Sequence, residues 1–301
     1  MADDRRTHRS HVSYIDKSRG YYGAQGYPQA YQWAYHQDVP FAELRKPLSD
    51  CRVGLVTTSF FERKVDESAA ASAGVKEPYA ALCDDALGGL YNKDLFWDKD
   101  NTHTDDLDTY LPINRLRELA AQGRIGALAD RFYGVTTDYS HRRTSRRDAP
   151  QILEFAREDE LDAVLLVPLC PVCHQTVSLV ARHLEEAGLP TVVVGSARDI
   201  VEECGVSRFV FTDFPLGNPT GKPGDVEMQT AITGMALDLL ERSWQPRTTM
   251  QTPFVWNADQ NDDWRDHFMK VDDSNRAALA AAGDQRRVSQ EAAKAEGRGR
   301  G

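Results

Sequence analysis

Two cysteines at short spacing are the residues of this sequence with the clearest chemical potential. Cys170-Pro-Val-Cys173 has the C-x-x-C spacing, and His174 follows it directly. In an α/β protein from a reducing compartment, this spacing is typical of catalytic, redox or metal-binding cysteines rather than of a structural disulfide. We interpret Cys170 as a nucleophile and Cys173 as the resolving thiol that attacks it, with His174 helping to move protons.

Three other interpretations of the motif stay open. Cys170 to His174 matches the pattern for covalent haem attachment, but that use requires export and a distal axial ligand. A structural zinc site needs about four nitrogen or sulfur ligands, and only His174, His183 and Cys204 are at hand to complete one. Two buried cysteines without chemistry are the simplest alternative. We predict no metal and no other cofactor.

The cysteines lie between a predicted buried strand and a predicted helix. Ala163-Val-Leu-Leu-Val-Pro168 is a continuous apolar run of the kind found in strands buried on both faces. Val177, Val180 and Leu184 follow at helical spacing. In open α/β sheets, ligands bind at the carboxyl ends of strands. The free N–H groups of a helix start also favour a thiolate, so we expect a lowered pKa for Cys170.

Further apolar runs extend this unit to an α/β fold with an open, mostly parallel sheet and helices on both faces. Strand, helix and strand alternate through residues 162–212, which requires crossover connections and therefore parallel strands. We predict a first strand at 51–59, a long surface loop or insertion at 62–110 and a long amphipathic helix at 226–243.

The predicted organisation has five parts. They are a disordered segment at 1–12, an aromatic arm at 13–50, an α/β core at 51–246, a C-terminal extension at 247–275 and a tail at 276–301. We interpret the tail as mostly disordered, with one frayed helix as the alternative. One interpretation of the core divides it into two similar halves, 51–145 and 150–246.

Four further polar residues follow predicted strands and are candidate substrate-binding residues. Thr57, Thr58 and Ser59 come after the first strand and are expected to face the same crevice as the cysteines. Their hydroxyls suit hydrogen bonds to a carboxylate or phosphate, although capping of the next segment is the simpler role. Asp213 follows a later strand, where many acids cap a helix or turn instead.

Charge and hydropathy exclude several classes of partner. The 36 Lys and Arg against 46 Asp and Glu give a formal charge of −10, which argues against nucleic acid as the main partner. No apolar run reaches the roughly 18 residues of a transmembrane helix. The first residues lack the apolar stretch of a secretory signal, so we expect a cytoplasmic protein. The aromatic arm and the helix at 226–243 make a homo-oligomer our expectation.

The sequence resembles the selenoprotein B family of the glycine, sarcosine and betaine reductases and D-proline reductase. The matching segments, within roughly residues 12–245, are Arg52-Val-Gly-Leu-Val-Thr-Thr58, Pro112-Ile-Asn-Arg-Leu-Arg-Glu-Leu-Ala120 with Gly126, Asp162 to Gln175, and Phe214-Pro-Leu-Gly-Asn218. The resemblance implies reductive cleavage of a carbon–nitrogen bond, with Cys170 at the selenocysteine position and Cys173 at that of the following cysteine. It also implies a companion subunit that carries a pyruvoyl group.

A plain cysteine at the selenium position changes the expected chemistry. A thiolate is a poorer nucleophile at neutral pH than a selenolate, so we expect a better leaving group, such as one attached through sulfur, or a substrate activated by another subunit. We therefore predict a thiol-dependent reductase that cleaves a carbon–nitrogen or carbon–sulfur bond of a small amine or amino-acid-like substrate. The predicted partners are this substrate and either a companion subunit or a thioredoxin-like thiol reductant. The alternative is a non-catalytic binding or assembly subunit of a reductase complex.

Overall fold

The computed structural model describes residues 10–61, 77–137, 139–258 and 262–295, where residues 290 and 293–295 are described by their backbone alone. Its strands are β1 (Arg52–Thr57), β2 (Tyr79–Leu82), β3 (Ala127–Leu128), β4 (Arg131–Gly134), β5 (Ala163–Val167), β6 (Thr191–Gly195), β7 (Arg208–Phe211) and β8 (Thr248–Gln251). They form one sheet in the order β2-β4-β1-β5-β6-β7-β8, with β3 also beside β1. Among these strands β2 alone is antiparallel to its neighbour, which confirms the predicted mostly parallel sheet.

The helices pack on both faces of the sheet. They are α1 (Tyr14–Ala24), α2 (Cys83–Ala86), α3 (Ile113–Ala121), α4 (His141–Arg143), α5 (Ala149–Glu158), α6 (Pro171–Glu186), α7 (Arg198–Cys204), α8 (Val226–Arg242), α9 (Trp264–His267) and α10 (Arg276–Ala295). None of these described helices is long and apolar enough to cross a membrane.

Side chains of the central strands point alternately to the two faces of the sheet, so the core forms two layers. Leu55 of β1 packs in one layer with Leu116 of α3, and the helix α8 completes that layer. Val56 points to the opposite face and packs in the other layer with Ile152 of α5 and Val180 of α6. Each central strand is buried on both sides, which is why its sequence is a continuous apolar run.

The chain leaves β1 and β5 on opposite faces of the sheet. These strands are neighbours, and Thr57 at the end of β1 pairs with Val167 at the end of β5. The connection after β1 leads to α3 on one face, whereas α6 follows β5 on the other. In this type of sheet, ligands are expected to bind beyond the carboxyl ends of two strands where the chain changes direction in this way.

The aromatic arm, residues 13–50, consists of α1 followed by extended chain. The Ala34 N–H donates to Oε1 of Gln175 on α6 at 2.8 Å. The Ala42 carbonyl oxygen accepts a hydrogen bond from Nη2 of Arg208 on β7 at 2.7 Å. The arm therefore packs along α6 and reaches the start of β7.

Two segments differ from the sequence prediction. Residues 276–295 form α10 rather than a disordered tail, because their alanine-rich sequence has high helix propensity and the helix packs on α1. Arg287 anchors it by donating to the Gln25 carbonyl oxygen at 2.8 Å. Residues 77–110 are not a simple surface loop, since they contain β2 and α2 and bury Trp97. Residues 1–9, 62–76 and 296–301, where we predicted disorder or a loop, lie outside the described residues.

Candidate redox site at the start of α6

The structure places both cysteines of the C-x-x-C motif at the first turn of α6. Cys170 is the N-cap residue, and the Cys173 backbone N–H donates to Cys170 Sγ at 3.2 Å. Pro171 occupies the first helical position, where its missing N–H removes no hydrogen bond. The two Cα atoms are 4.9 Å apart, and the sulfurs are bonded as a disulfide. The predicted strand–helix junction and the predicted reach between the sulfurs are both present.

The position of Cys170 favours a thiolate when the pair is reduced. A backbone N–H already points at its sulfur, and the dipole of a 16-residue helix adds positive potential at this end. Burial acts in the opposite direction. Cys170 is 4% exposed and Cys173 fully buried, although the first cysteine of such a motif is ordinarily exposed.

The remaining cysteines have no comparable environment. Burial raises the pKa of Cys51 and of Cys83 to about 11 and that of Cys204 to about 12. All three are free thiols within the core. They are therefore poor nucleophiles near neutral pH.

His174 is fixed by the backbone at both of its ring nitrogens. Nδ1 donates to the Cys170 carbonyl oxygen at 2.8 Å, and Nε2 accepts the Ser196 N–H at 2.9 Å. Complete burial lowers the pKa of His174 to about 4, so the ring is neutral. A Cβ atom at Gly195 would lie 2.8 Å from this ring, so glycine makes room for it. With both nitrogens bound to backbone groups, the ring has no free nitrogen for the expected proton transfer.

Thr57, Thr58 and Ser59 lie at the carboxyl end of β1. Thr57 Oγ1 accepts the Ser59 N–H at 3.2 Å. Thr58 and Ser59 are fully buried, and their hydroxyls have no hydrogen-bond partner among the described residues. An unsatisfied buried hydroxyl costs about 1–3 kcal/mol, so both side chains are suited to a partner that the protein itself does not supply.

Asp213 forms an ion pair with Arg265, away from the cysteines. Arg265 of α9 binds both carboxylate oxygens, with Nη1 2.7 Å from Oδ1. The two side chains are 10% and 14% exposed. Asp213 also follows β7, which β6 separates from β5. The structure thus gives Asp213 a structural partner and does not bring it together with Cys170, in contrast to the expected substrate contact.

Sequence reasoning missed Thr137, whose Oγ1 lies 3.5 Å from Cys173 Sγ. Thr137 follows β4, the neighbour of β1 on the side opposite β5. The Val135 N–H donates to the Thr57 carbonyl oxygen at 2.9 Å and continues this pairing towards the site. A pair of threonines at the carboxyl end of a strand was the available signal, since Thr57 and Thr58 stand at the end of β1.

The aromatic arm contacts both α6, which carries Cys173, and the segment after β4. Tyr31 accepts a hydrogen bond from Gln175 Nε2 on α6 at 2.7 Å. The same hydroxyl donates to the Tyr139 carbonyl oxygen at 3.0 Å, two residues beyond Thr137. Tyr31 therefore joins the start of α6 to the segment that carries Thr137.

The part of the chain that the structure describes contains no set of side chains suited to bind a metal ion. No group of three or more His, Cys, Asp or Glu side chains there is arranged to hold an ion. His174 in particular has no free nitrogen. The zinc alternative therefore has no candidate site among these residues.

Comparison with known proteins identifies the family. D-proline reductase subunit gamma of Acetoanaerobium sticklandii is 32% identical over 196 residues, which make up 62% of this chain and 77% of that subunit. The chain belongs to the selenoprotein B family. Another relative in that family, glycine reductase complex component B subunit gamma of Symbiobacterium thermophilum, is 29% identical over 60% of this chain and 43% of its own length.

The same subunit of Carboxydothermus hydrogenoformans is 29% identical over 63% of this chain and 45% of its own length. The chain thus spans less than half of the two glycine reductase subunits of the selenoprotein B family. Neither a protein-family model nor a solved structure matches the chain.

Proposed function

We propose that this chain is the thiol-dependent subunit of a reductase that cleaves a carbon–nitrogen or carbon–sulfur bond of a small amine or amino-acid-like substrate. The observation that carries this proposal is the bonded Cys170–Cys173 pair at the first turn of α6, directly after the carboxyl end of β5. The relatives support it, because by name they are subunits of D-proline and glycine reductases.

The reaction begins with Cys170 as nucleophile. Its thiolate attacks the substrate carbon, a carbon–sulfur bond forms, and the carbon–nitrogen bond breaks. The amine leaves with the electron pair of that bond and takes up a proton. The helix start and the Cys173 N–H stabilise the attacking anion.

Cys173 completes the cycle. Its thiolate attacks the Cys170 sulfur, so the disulfide forms as the carbon–sulfur bond breaks. The released carbon keeps the electron pair and takes up a proton. Two thiols have then lost two electrons to the substrate, and an external dithiol of the thioredoxin type restores them.

In this proposal, residues at the end of β1 bind the substrate. Thr58 and Ser59 have buried hydroxyls that lack partners among the described residues, and β1 is hydrogen-bonded to the strand that leads to Cys170. Hydrogen bonds from these hydroxyls suit an anionic or carbonyl oxygen of the substrate. His174 holds Cys170 in place through its carbonyl oxygen.

A companion subunit is part of the proposal. A thiolate needs an activated substrate or a better leaving group than a selenolate does, and nothing in this chain supplies a pyruvoyl group. The glycine reductase relatives are named as components of a complex. We propose that a partner of this kind activates the amine and presents it to Cys170.

The alternative function is a non-catalytic binding or assembly subunit. Burial of both sulfurs favours it, because an inert buried pair needs no access to substrate. Under this alternative the α/β core holds a small molecule or a catalytic partner while the cysteines only pack.

Trapping of the adduct separates the two functions. The Cys173→Ser variant, reduced and exposed to candidate substrates with its companion subunits, is expected to accumulate an adduct on Cys170 in peptide mass spectra. Cys170→Ser in the same complex is expected to lose turnover and form no adduct. Full turnover by Cys170→Ser would instead establish the binding or assembly role.

A further inference from the structure

The contact between Thr137 and Cys173 has no part in the mechanism above. Thr137 Oγ1 lies 3.5 Å from the Cys173 sulfur, and because a disulfide sulfur carries no hydrogen, the hydroxyl is the donor. Thr137 is half-buried, whereas Cys173 is fully buried. The threonine therefore lies between a buried sulfur and the outside of the core.

Neither His174 nor His141 carries a positive charge at pH 7. His174 is neutral, with both ring nitrogens bound to backbone atoms. The Nε2 atom of His141 lies 3.0 Å from the Tyr31 hydroxyl, and burial lowers the pKa of His141, so it too is neutral at pH 7. Within the described ranges, Thr137 is the only side chain that donates a hydrogen bond to Cys173 Sγ.

Cys173 has to lose its proton before it can close the disulfide. A thiol in an apolar, fully buried site resists ionisation, since burial disfavours the charged form. A hydroxyl that donates to the sulfur stabilises the thiolate and counteracts that penalty. The Cys170 thiolate is stabilised by the N–H groups at the start of α6. Cys173 lies inside the first turn, and its own N–H is directed at the Cys170 sulfur.

We propose that Thr137 is a catalytic residue of the resolving step, whose hydroxyl stabilises the Cys173 thiolate as it attacks Cys170. This inference rests on the proposed dithiol function. The Tyr31 hydroxyl binds Gln175 on α6 and the backbone of Tyr139, two residues beyond Thr137.

Oxidised glutathione tests Thr137 without the unidentified substrate. The reduced Cys170 thiolate attacks the glutathione disulfide, so a mixed disulfide forms and one glutathione thiolate leaves. The Cys173 thiolate then attacks the Cys170 sulfur, the internal disulfide forms, and the second glutathione leaves as a thiolate. Acid quenching and intact mass spectrometry give the two rates separately, capture by Cys170 and closure by Cys173.

Thr137→Val removes the hydroxyl and keeps the shape of the side chain. Raising the Cys173 pKa by about one unit lowers its thiolate fraction about tenfold near pH 7, and the greater nucleophilicity of a more basic thiolate recovers about threefold of that. We therefore expect closure to slow about threefold, while capture stays at the wild-type rate. Thr137→Ser keeps the donor and is expected to close nearly as fast as wild type. Thr176→Val is the matched control. Thr176 is a buried threonine of α6, the helix that carries Cys173, and its hydroxyl donates to the Val172 carbonyl oxygen.

The outcomes separate this inference from the proposed function. Closure of Thr137→Val at the wild-type rate, or equal slowing in Thr176→Val, overturns the role of Thr137. A wild-type protein that captures and closes with glutathione but forms no substrate adduct overturns the reductase proposal and leaves Thr137 in its role. A wild-type protein that neither captures glutathione nor closes overturns both.

Discussion

His174 on α6 accepts the backbone N–H of Ser196, at the end of β6, through its Nε2 atom at 2.9 Å. Its other nitrogen donates to the carbonyl oxygen of Cys170. One neutral imidazole thus fixes the first turn of α6 against the neighbouring strand. Because that turn carries both cysteines, the placement of the sulfurs depends on a side chain that itself has no free nitrogen for chemistry.

Removal of this imidazole is expected to destabilise the fold. His174→Ala leaves the buried Ser196 N–H without a partner and opens a cavity, which together cost about 3–5 kcal/mol. His183→Ala, on the outer part of the same helix, is the control and is expected to change stability by less than about 1 kcal/mol. Urea unfolding measures both, and equal effects would contradict the positioning role.

The buried state of His174 also predicts a pH dependence. Its pKa is about 4 in the folded protein against 6.5 ordinarily, so the unfolded chain binds the proton first as pH falls. Its contribution to stability is complete above pH 6.5 and declines towards pH 4, by about 3 kcal/mol in total. Unfolding free energies of wild type and His174→Gln across this range measure the contribution. Parallel pH profiles of the two proteins would show that His174 is not buried neutral.

The unpartnered hydroxyls after β1 predict a variant that gains stability and loses substrate binding. Ser59→Ala removes a buried hydroxyl that lacks a partner among the described residues, so unfolding should be harder by up to about 1–2 kcal/mol. In the assembled enzyme its KM is expected to rise several-fold. A lower stability with an unchanged KM would indicate that Ser59 has a structural partner and does not contact substrate.

The ion pair of Asp213 and Arg265 predicts a change in stability without a change in chemistry. Asp213→Asn leaves a largely buried guanidinium without its counter-charge, which is expected to cost about 2–4 kcal/mol. Asp16→Asn, in an exposed pair with Arg19, is the control and should change stability by less than about 0.5 kcal/mol. Since Asp213 binds Arg265 with both oxygens, KM is expected to stay unchanged. A raised KM would restore the expected substrate contact.

Local sequence signals were sufficient for the part of the site on α6. The apolar run of β5, the proline after Cys170 and the helical spacing after Cys173 predict the strand end, the helix start and the reach between the sulfurs. Each of these features depends on residues within about one helical turn of the next. The mostly parallel sheet followed from the same alternation of strands and helices.

The contacts that tune the site join residues far apart in the chain. Thr137 meets Cys173 because β4 and β5 flank β1, and Asp213 meets Arg265 because α9 returns to the end of β7. His174 offered no local sign that Ser196 would occupy its second nitrogen. The extent of α10 was missed because its alanine-rich sequence is weakly hydrophobic overall, and the helix packs on α1 of the arm instead of in the core.

The pH profile of Cys170 alkylation tests the central claim most directly. In reduced Cys173→Ser protein, the rate of modification by iodoacetamide is followed at the Cys170 peptide by mass spectrometry. The midpoint of the profile reports ionisation independently of how accessible the sulfur is. A thiolate stabilised at the start of α6 predicts a midpoint below about pH 7.5, whereas a midpoint at about 8.5 or above would contradict the proposed nucleophile.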